Sequence, residues 1–172
     1  MVHLCLDFEG VLIPEIWQCL AKEVNSDDLM LTTQDLKDYD ELMSLRMKVV
    51  NEKNIKLSDI QKIVKNIDPF DGAQEFLEWA RSKFQVTIVS DTFYELAWPL
   101  VEKLGYPSII CHNMTVENDK ITGYKLRQPN NKQKVIEALQ SLKFKVFASG
   151  DSYNDINTVS YTHLRAHETR SY

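Results

Sequence analysis

The chain has 172 residues, of which 44% are hydrophobic and 26% charged, so its composition suits one compact domain with a sizeable core and excludes an intrinsically disordered protein. The formal net charge of -5 argues against a nucleic-acid-binding surface, which usually needs clustered lysine and arginine. Scattered cysteines without a CxxC pair, no charged leader and no apolar run of roughly 18 residues predict a cytoplasmic protein with reduced thiols, not a secreted or membrane-spanning one.

The first predicted strand is an apolar run that ends in two carboxylates. Val2–Leu6 leads into Asp7 and Glu9, and Gly10 follows as a turn residue. Side chains two positions apart on a strand point the same way. The two acids can therefore share a divalent cation, or one can attack a substrate while the other moves protons. Without such a partner, two like charges would be costly to hold together.

Residues 14–68 have the pattern of helices and contain no convincing strand. Apolar side chains recur there at three-to-four spacing, and Ser58 with Gln61 predicts a capping box at the start of one helix. The segment is longer than an ordinary crossover between two parallel strands. We therefore expect an inserted helical cap that lies over the strand ends.

Strands and helices alternate from residue 69 onward. The predicted strands are 86–89, 108–111 and 145–148, and the predicted helices are 73–83, 93–104 and 132–142. A small hairpin is predicted between residues 114 and 124, with Asn118 and Asp119 at its turn. This rhythm predicts an α/β fold in which helices cover both faces of a parallel sheet.

The last residues, 160–172, change character abruptly and carry two of the four histidines. A solvated tail is one interpretation. The interpretation that we favour is a non-native tail from read-through of foreign DNA, in which case the natural chain has lost its C-terminal strand and helix. The predicted organisation is then a core of residues 1–13 and 69–159, a helical cap of residues 14–68 and a truncated C-terminus.

Polar side chains follow three of the predicted strands. Besides the pair after the first strand, Ser90, Asp91 and Thr92 follow the second, and residues 150–155 carry GDSYND after the last. Ligands of open α/β sheets bind in the crevice beyond the carboxyl ends of the strands. Each later cluster could instead only cap the helix that follows it. Taken together, the three clusters favour one metal-assisted phosphate site.

These clusters contain motifs that resemble a known family. In chain order, DFEGV, VSDT, the basic region around Lys132 and GDSYND resemble the haloacid dehalogenase superfamily of phosphohydrolases, which implies a Rossmann-like core up to residue 159. DFEGVLIPEIW, LRMKVV, VSDTFYE and YKLRQ are similar to the phosphoserine phosphatases, particularly to the branch described as bifunctional phosphoserine phosphatase and homoserine phosphotransferase. Glu9 stands where the superfamily usually has Asp, and this branch shares the Glu.

The resemblance implies a role for each acid. Asp7 would be the nucleophile that forms an aspartyl phosphate, and Glu9 would protonate the leaving oxygen and then activate water or another alcohol. A magnesium ion would be held by Asp7, the backbone carbonyl of Glu9 and Asp151, a ligand set with few carboxylates that suits Mg²⁺. Asn154 and Asp155 would orient these ligands from behind.

The resemblance also implies which residues hold the phosphoryl group. Ser90 and Lys132 would contact its oxygens, and Asp91 would lie beside them at the substrate, where positioning and electrostatics dominate catalysis. Lys134 lies close by in the sequence and is the alternative to Lys132. Either lysine could also be an ordinary solvated residue of a helix.

Two residues of the predicted cap resemble the substrate-binding residues of the phosphoserine phosphatases. Glu15 would bind the ammonium group and Arg46 the carboxylate of phosphoserine, pairings that suit their charges. Each could equally be a surface charge. Trp17, Trp79 and Trp98 are predicted to be core residues, because aromatic side chains usually become buried.

The leading hypothesis is a magnesium-dependent phosphatase that acts on phosphoserine, a small-molecule phosphomonoester, with phosphoryl transfer to homoserine as an additional hypothesis. The resemblance further implies a homodimer. The alternatives are a phosphatase for another small phosphomonoester, in which Glu15 and Arg46 have no substrate role, and an inactive truncated fragment. A phosphate-sensing receiver-type domain is disfavoured, because its accepting Asp follows the third strand and no helical insertion interrupts its first crossover.

Overall fold

The computed structural model describes residues 2–150, and five strands in this part of the chain form one sheet. The strands are β1 (Val2–Leu6), β2 (Gln85–Phe93), β3 (Ile109–Glu117), β4 (Lys120–Lys125) and β5 (Lys145–Ser149). Their order in the sheet is β4-β3-β2-β1-β5, in which β4 is antiparallel to β3 and all other neighbours are parallel. The predicted α/β fold is confirmed.

Helices occupy most of the connections between these strands. Three of them follow β1 and form, with a short 3-10 helix, what we call the helical segment: α1 (Ile16–Val24), the 3-10 helix (Asp27–Met30), α2 (Tyr39–Glu52) and α3 (Leu57–Lys65). The others are α4 (Ala73–Lys83), α5 (Tyr94–Lys103) and α6 (Asn131–Ser141). The predicted bounds of these last three helices agree with the structure to within one residue. Among the described helices, none has the length and apolar character that crossing a membrane requires.

Side chains alternate between two hydrophobic cores, one on each face of the sheet. Leu6 and Ile88 belong to the larger core, to which α1 to α5 contribute buried side chains. Their neighbours Cys5 and Val89 belong to a smaller core, which α6 covers. This alternation follows from the two-residue period of a strand. The prediction that helices cover both faces is therefore confirmed.

Two strands extend beyond their predicted ends. β2 continues from the apolar run through Ser90, Asp91 and Thr92 to Phe93, and β3 runs without a break from Ile109 into the predicted hairpin. The predicted strands 86–89 and 108–111 were therefore too short. The physical reason is that polar side chains interrupt the apolar pattern at these points, whereas the backbone stays extended.

The hairpin between β3 and β4 has the predicted turn. Glu117 pairs with Lys120, and Asn118 and Asp119 adopt φ values of 49° and 66°, as a two-residue hairpin turn of the mirror-image type requires.

The predicted capping box of Ser58 and Gln61 is wrong. Because α3 begins at Leu57, Ser58 lies inside the first turn, where its side chain bonds to Asp119 instead.

Candidate active site

A cavity of about 100 Å³ lies at the carboxyl ends of β1 and β2, with residues of the helical segment on its other side. It brings together every predicted site residue that the structure describes: Asp7, Glu9, Glu15, Arg46, Ser90, Asp91 and Lys132. The predictions for Asp151, Asn154 and Asp155, and for the tail 160–172, lie outside the described residues.

Asp7 follows β1 and is nearly buried against Lys132. The N–H of Asp7 donates to the Ser149 carbonyl at the end of β5 (2.9 Å), so these two strand ends lie side by side. Asp7 Oδ1 accepts from the Phe8 N–H (2.7 Å), and Oδ2 accepts from Lys132 Nζ (2.6 Å). The side chains of Asp7 and Lys132 are only 8% and 11% exposed. Lys134 is 51% exposed and pairs with Glu137, so it is Lys132 that reaches the cavity.

Glu9 joins the end of β1 to the start of the helical segment. Its Oε1 accepts from the N–H of Ile16 (2.7 Å), the first residue of α1, whose amide would otherwise lack an intrahelical partner. Burial raises the pKa of Glu9 to about 8, with Glu15 and Asp7 adding to the shift and the Ile16 N–H and Arg46 opposing it. A carboxyl with such a pKa can hold a proton near neutral pH.

Arg46 of α2 is buried in the wall of the cavity. Its guanidinium lies 4.9 Å from the centre of the Trp17 ring, and one terminal nitrogen donates to the Leu31 carbonyl (3.0 Å). Within the described residues, its Nε has no hydrogen-bond partner. Burial lowers the pKa of Arg46 from its ordinary value, and Glu9 opposes this shift. An arginine with an unpaired buried donor is suited to bind an anionic group of a ligand.

The prediction that all three tryptophans lie in the core is wrong for two of them. Trp17 is 3% exposed and lines the cavity, whereas Trp79 and Trp98 are 53% and 52% exposed. Helical position alone does not separate an inward-facing ring from one that packs on the surface of a helix. The structure thus assigns Trp17 a contact with Arg46 that sequence reasoning missed.

Ser90, Asp91 and Thr92 form a bulge in β2, which we call the β2 bulge. β2 and β3 pair at Val89 with Ile110 and again at Phe93 with His112, so three residues of β2 oppose a single residue of β3. Ser90 and Thr92 are each 2% exposed. Bulges of this kind re-aim side chains beside active sites. Here the bulge points its polar residues into the cavity.

Asp91 contacts His112, a residue that sequence reasoning missed. His112 is 3% exposed, and its Nε2 lies 3.5 Å from Asp91 Oδ1. Burial raises the pKa of Asp91, but the contact with His112 and the charge of Lys132 outweigh burial, so the pKa falls below its ordinary value. No local pattern pointed to His112, because its partners come from distant parts of the sequence.

Carboxylates outnumber cationic side chains around the cavity. Even when Glu9 holds a proton, Asp7, Glu15 and Asp91 outnumber the two cationic residues, Arg46 and Lys132, among the described residues that line it. A phosphate dianion would meet an excess of negative charge there, and a divalent cation would offset it. Within the described residues, no group of three His, Cys, Asp or Glu side chains is placed to hold a metal ion.

Three comparisons relate the chain to known proteins. The family model described as haloacid dehalogenase-like hydrolase matches residues 11–160. A phosphoserine phosphatase, ThrH, of Pseudomonas aeruginosa is 46% identical over 160 residues, which cover 92% of this chain and 78% of that protein. A phosphoserine phosphatase of Pseudomonas syringae is 46% identical over 152 residues, which cover 88% of this chain and 64% of that protein. The chain thus spans slightly less than two thirds of the second relative.

Solved structures show the same fold at lower sequence identity. A phosphoserine phosphatase determined as an analogue of its phospho-aspartyl intermediate superimposes with a TM-score of 0.70. It is 22% identical, and the match covers 91% of this chain and 81% of that one. At this identity the likeness establishes the arrangement of helices and strands.

Proposed function

This chain belongs to the haloacid dehalogenase-like hydrolases, and from that premise we propose that it is a magnesium-dependent phosphatase that hydrolyses O-phospho-L-serine through an aspartyl phosphate on Asp7. One observation carries the proposal: a single small cavity collects Asp7 together with Glu15 and Arg46. The two Pseudomonas relatives support it, because both are named phosphoserine phosphatases.

The proposed reaction has two steps that share Glu9. Asp7 attacks the phosphorus, the bond from phosphorus to the serine oxygen breaks, and Glu9 gives its proton to that oxygen. Glu9 then takes a proton from a water molecule, whose oxygen attacks the aspartyl phosphate and releases inorganic phosphate and free Asp7. Their neighbouring positions after β1 support this division of roles.

Ser90 and Lys132 would hold the phosphoryl group during both steps, with Asp91 beside them at the substrate. Lys132 lies in the first turn of α6, where the positive end of the helix dipole adds to its charge. Its hydrogen bond to Asp7 Oδ2 supports a position beside the transferring group. Fixed donors of this kind stabilise the charge that develops in the transition state.

Asp7, the backbone carbonyl of Glu9 and Asp151 would hold Mg²⁺, and Asn154 and Asp155 would orient these ligands. When bound, the ion would screen the attacking carboxylate from the charge of the phosphate. The excess of carboxylates in the cavity supports this ligand set. Thermal melting with and without MgCl₂ tests it, because an ion that binds the folded chain must raise its melting temperature. An unchanged melting temperature at saturating MgCl₂ would favour an inactive fragment.

Glu15 and Arg46 would bind the ammonium and carboxylate groups of phosphoserine. We propose that residues 14–68 act as a cap that supplies both side chains, over a core of residues 1–13 and 69–159. The Glu9–Ile16 bond and the bond from the Tyr39 hydroxyl to the Asp91 carbonyl (2.9 Å) support this arrangement.

The substrate is tested with Arg46→Gln and its matched control Lys48→Gln, an exposed change on the same helix. Arg46→Gln should raise the KM for phosphoserine about 100-fold, since a charged hydrogen bond to the carboxylate is lost. The KM for p-nitrophenyl phosphate, which has no such carboxylate, should change little. If phosphoserine, sugar phosphates and nucleotides react at equal rates, another small phosphomonoester is the substrate.

We further propose that homoserine can replace water as the acceptor of the phosphoryl group. Its hydroxyl would lose a proton to Glu9 and attack the aspartyl phosphate, as water does. Incubation with phosphoserine and homoserine should give O-phosphohomoserine, which 31P NMR resolves from inorganic phosphate. If inorganic phosphate is the sole product, water alone serves as acceptor.

We also expect the protein to form a homodimer and to be located in the cytoplasm.

A further inference from the structure

The β2 bulge leaves backbone carbonyls outside the sheet ladder, and side chains from other elements bind them. The Asp91 carbonyl accepts from the Tyr39 hydroxyl (2.9 Å), which belongs to α2. The Ser90 carbonyl accepts from the side-chain amide of Asn131 (3.3 Å), the first residue of α6. Buried carbonyls that lack such partners are costly. The shape of the bulge therefore depends on side chains that the strand itself does not provide.

The Tyr39 hydroxyl is held in place as a donor. The ring of Tyr39 lies edge-on to His112, with ring centres 6.3 Å apart, and edge-on to Tyr124, with ring centres 6.4 Å apart. Burial and the nearby charge of Asp91 raise the pKa of Tyr39, so its hydroxyl stays protonated. The helical segment thereby contributes, through the Tyr39 hydroxyl, a hydrogen bond to the cavity wall where Ser90 and Lys132 would bind the phosphoryl group.

The hydrogen bonds of His112 define its tautomer. Its Nδ1 lies 3.1 Å from the backbone N–H of Arg127 and accepts its hydrogen bond, so this nitrogen carries no proton. The proton of the neutral ring is then on Nε2, which faces the Asp91 carboxylate at 3.5 Å. His112 also pairs with Phe93 in the β2–β3 register, directly after the bulge. His112 thus contacts the bulge through its side chain and pairs beside it through its backbone.

We propose that Tyr39 and His112 are positioning residues, which hold the β2 bulge in the conformation that binds the transferring phosphoryl group. Tyr39 does so through the Asp91 carbonyl and His112 through the Asp91 carboxylate. The inference rests on the proposed function only in that Ser90 of the bulge contacts the phosphoryl group and Asp91 lies beside it. Through Tyr39, the helical segment thus contributes to the part of the cavity wall that the bulge forms.

The first test compares Tyr39→Phe with Tyr124→Phe. Each variant removes one hydroxyl from the same aromatic cluster, but the Tyr124 hydroxyl donates to Asp40 (2.7 Å) and not to the bulge. Tyr39→Phe should lower kcat/KM at least about tenfold, since small displacements of binding groups are costly in catalysis. Tyr124→Phe should stay within about twofold of the unchanged protein. Equal losses in the two variants would overturn the proposal.

The substrates are chosen to separate this inference from the choice of phosphoserine. Both phosphoserine and p-nitrophenyl phosphate should suffer the Tyr39→Phe loss, because they share only the phosphoryl group. If phosphoserine is not preferred but the loss persists with p-nitrophenyl phosphate, the proposed substrate fails and the positioning role stands. If the unchanged protein hydrolyses neither, binding of inorganic phosphate by calorimetry replaces turnover, and an affinity that Tyr39→Phe leaves unchanged overturns the role.

The second test uses rescue at position 112. His112→Gln keeps an N–H near the position of Nε2, so it should retain most of the activity that His112→Ala loses. Both variants remove the ring, so a purely structural role predicts similar losses in the two. 15N NMR of the unchanged protein should show the neutral tautomer with its proton on Nε2. A proton on Nδ1, or no rescue by Gln, would contradict the assignment to His112.

Discussion

Two of the junctions between the helical segment and the sheet differ in the polar atoms that they leave unpaired. At the cavity, Glu9 binds the Ile16 N–H and Tyr39 binds the Asp91 carbonyl. The buried Arg46 Nε and Thr92 Oγ1 beside them have no hydrogen-bond partner within the described residues. Buried polar atoms are normally paired, and Arg46 and Thr92 both line the cavity, so a ligand that binds there could provide the missing partners.

At the β3–β4 hairpin, the same segment is joined by bonds that satisfy one another. Asp119 accepts from the Ser58 N–H (2.9 Å) and from the Ser58 hydroxyl (2.6 Å), and its carbonyl accepts from the Leu57 N–H (3.0 Å). None of the unpaired buried side-chain atoms found between residues 2 and 150 belongs to these three residues. From this contrast we expect the cavity junction to serve ligand binding and the hairpin junction to serve stability.

The largest effect is expected from Asp7→Asn at the cavity junction. The amide is a poor nucleophile, so phosphate release should fall by at least about a thousandfold. The exposed change Asp28→Asn in the 3-10 helix is the control and should leave the rate unchanged. Phosphate release measured with excess MgCl₂ checks both. If Asp7→Asn retains substantial turnover, Asp7 is not the nucleophile.

Glu9→Gln separates chemistry from attachment at the same junction. The amide oxygen can still accept from the Ile16 N–H, but the side chain cannot transfer a proton, so kcat should fall about 100-fold or more. The melting temperature should change little, whereas Glu9→Ala should lower both. Calorimetry together with kinetics checks the pair, with exposed Glu23→Gln as control. If the Glu9→Gln protein is fully active but less stable, Glu9 serves attachment of α1 and not proton transfer.

Ser58→Ala should affect stability without affecting catalysis. The change removes the hydroxyl donor to Asp119, and the melting temperature should fall by about 2–4 °C for a chain of this size. The rate of phosphate release should be unchanged at temperatures well below melting. Ser44→Ala, on an exposed position of α2, is the matched control. A loss of activity in Ser58→Ala would remove the distinction between the two junctions.

The smallest effect is a pH dependence at the hairpin junction. The hydroxyl and amide of Ser58 hold the pKa of Asp119 below its ordinary range. Its stabilising contribution is therefore complete above the unfolded pKa of about 3.9 and is lost as the pH falls through the lower folded pKa. The melting temperature of the unchanged protein should exceed that of Asp119→Asn at pH 6 and converge with it on acidification. A difference that does not narrow as the pH falls below the unfolded pKa would contradict this.

Much of the candidate site was predictable from local pattern. An apolar run that ends in Asp7 and Glu9, and another that ends in Ser90, places all three residues at the carboxyl edge of a parallel sheet. The contact of Tyr39 could not be predicted from local pattern, because its hydroxyl binds a carbonyl 52 positions away. Likewise, Asn131 binds a carbonyl 41 positions away. No pattern within one segment reports a bond of that span.

The amino-acid sequence by itself determined the strands, the helices and the motif residues, because two-residue and three-to-four-residue periods are properties of neighbouring side chains. Only the tertiary structure decided which of two nearby lysines reaches Asp7. Lys132 and Lys134 lie about 200° apart around the helix axis, so one meets the cavity while the other stays on the surface. The tertiary structure likewise decided where β2 forms its bulge and which side chains bind it, since both depend on how α2, β3 and α6 pack around the end of β2.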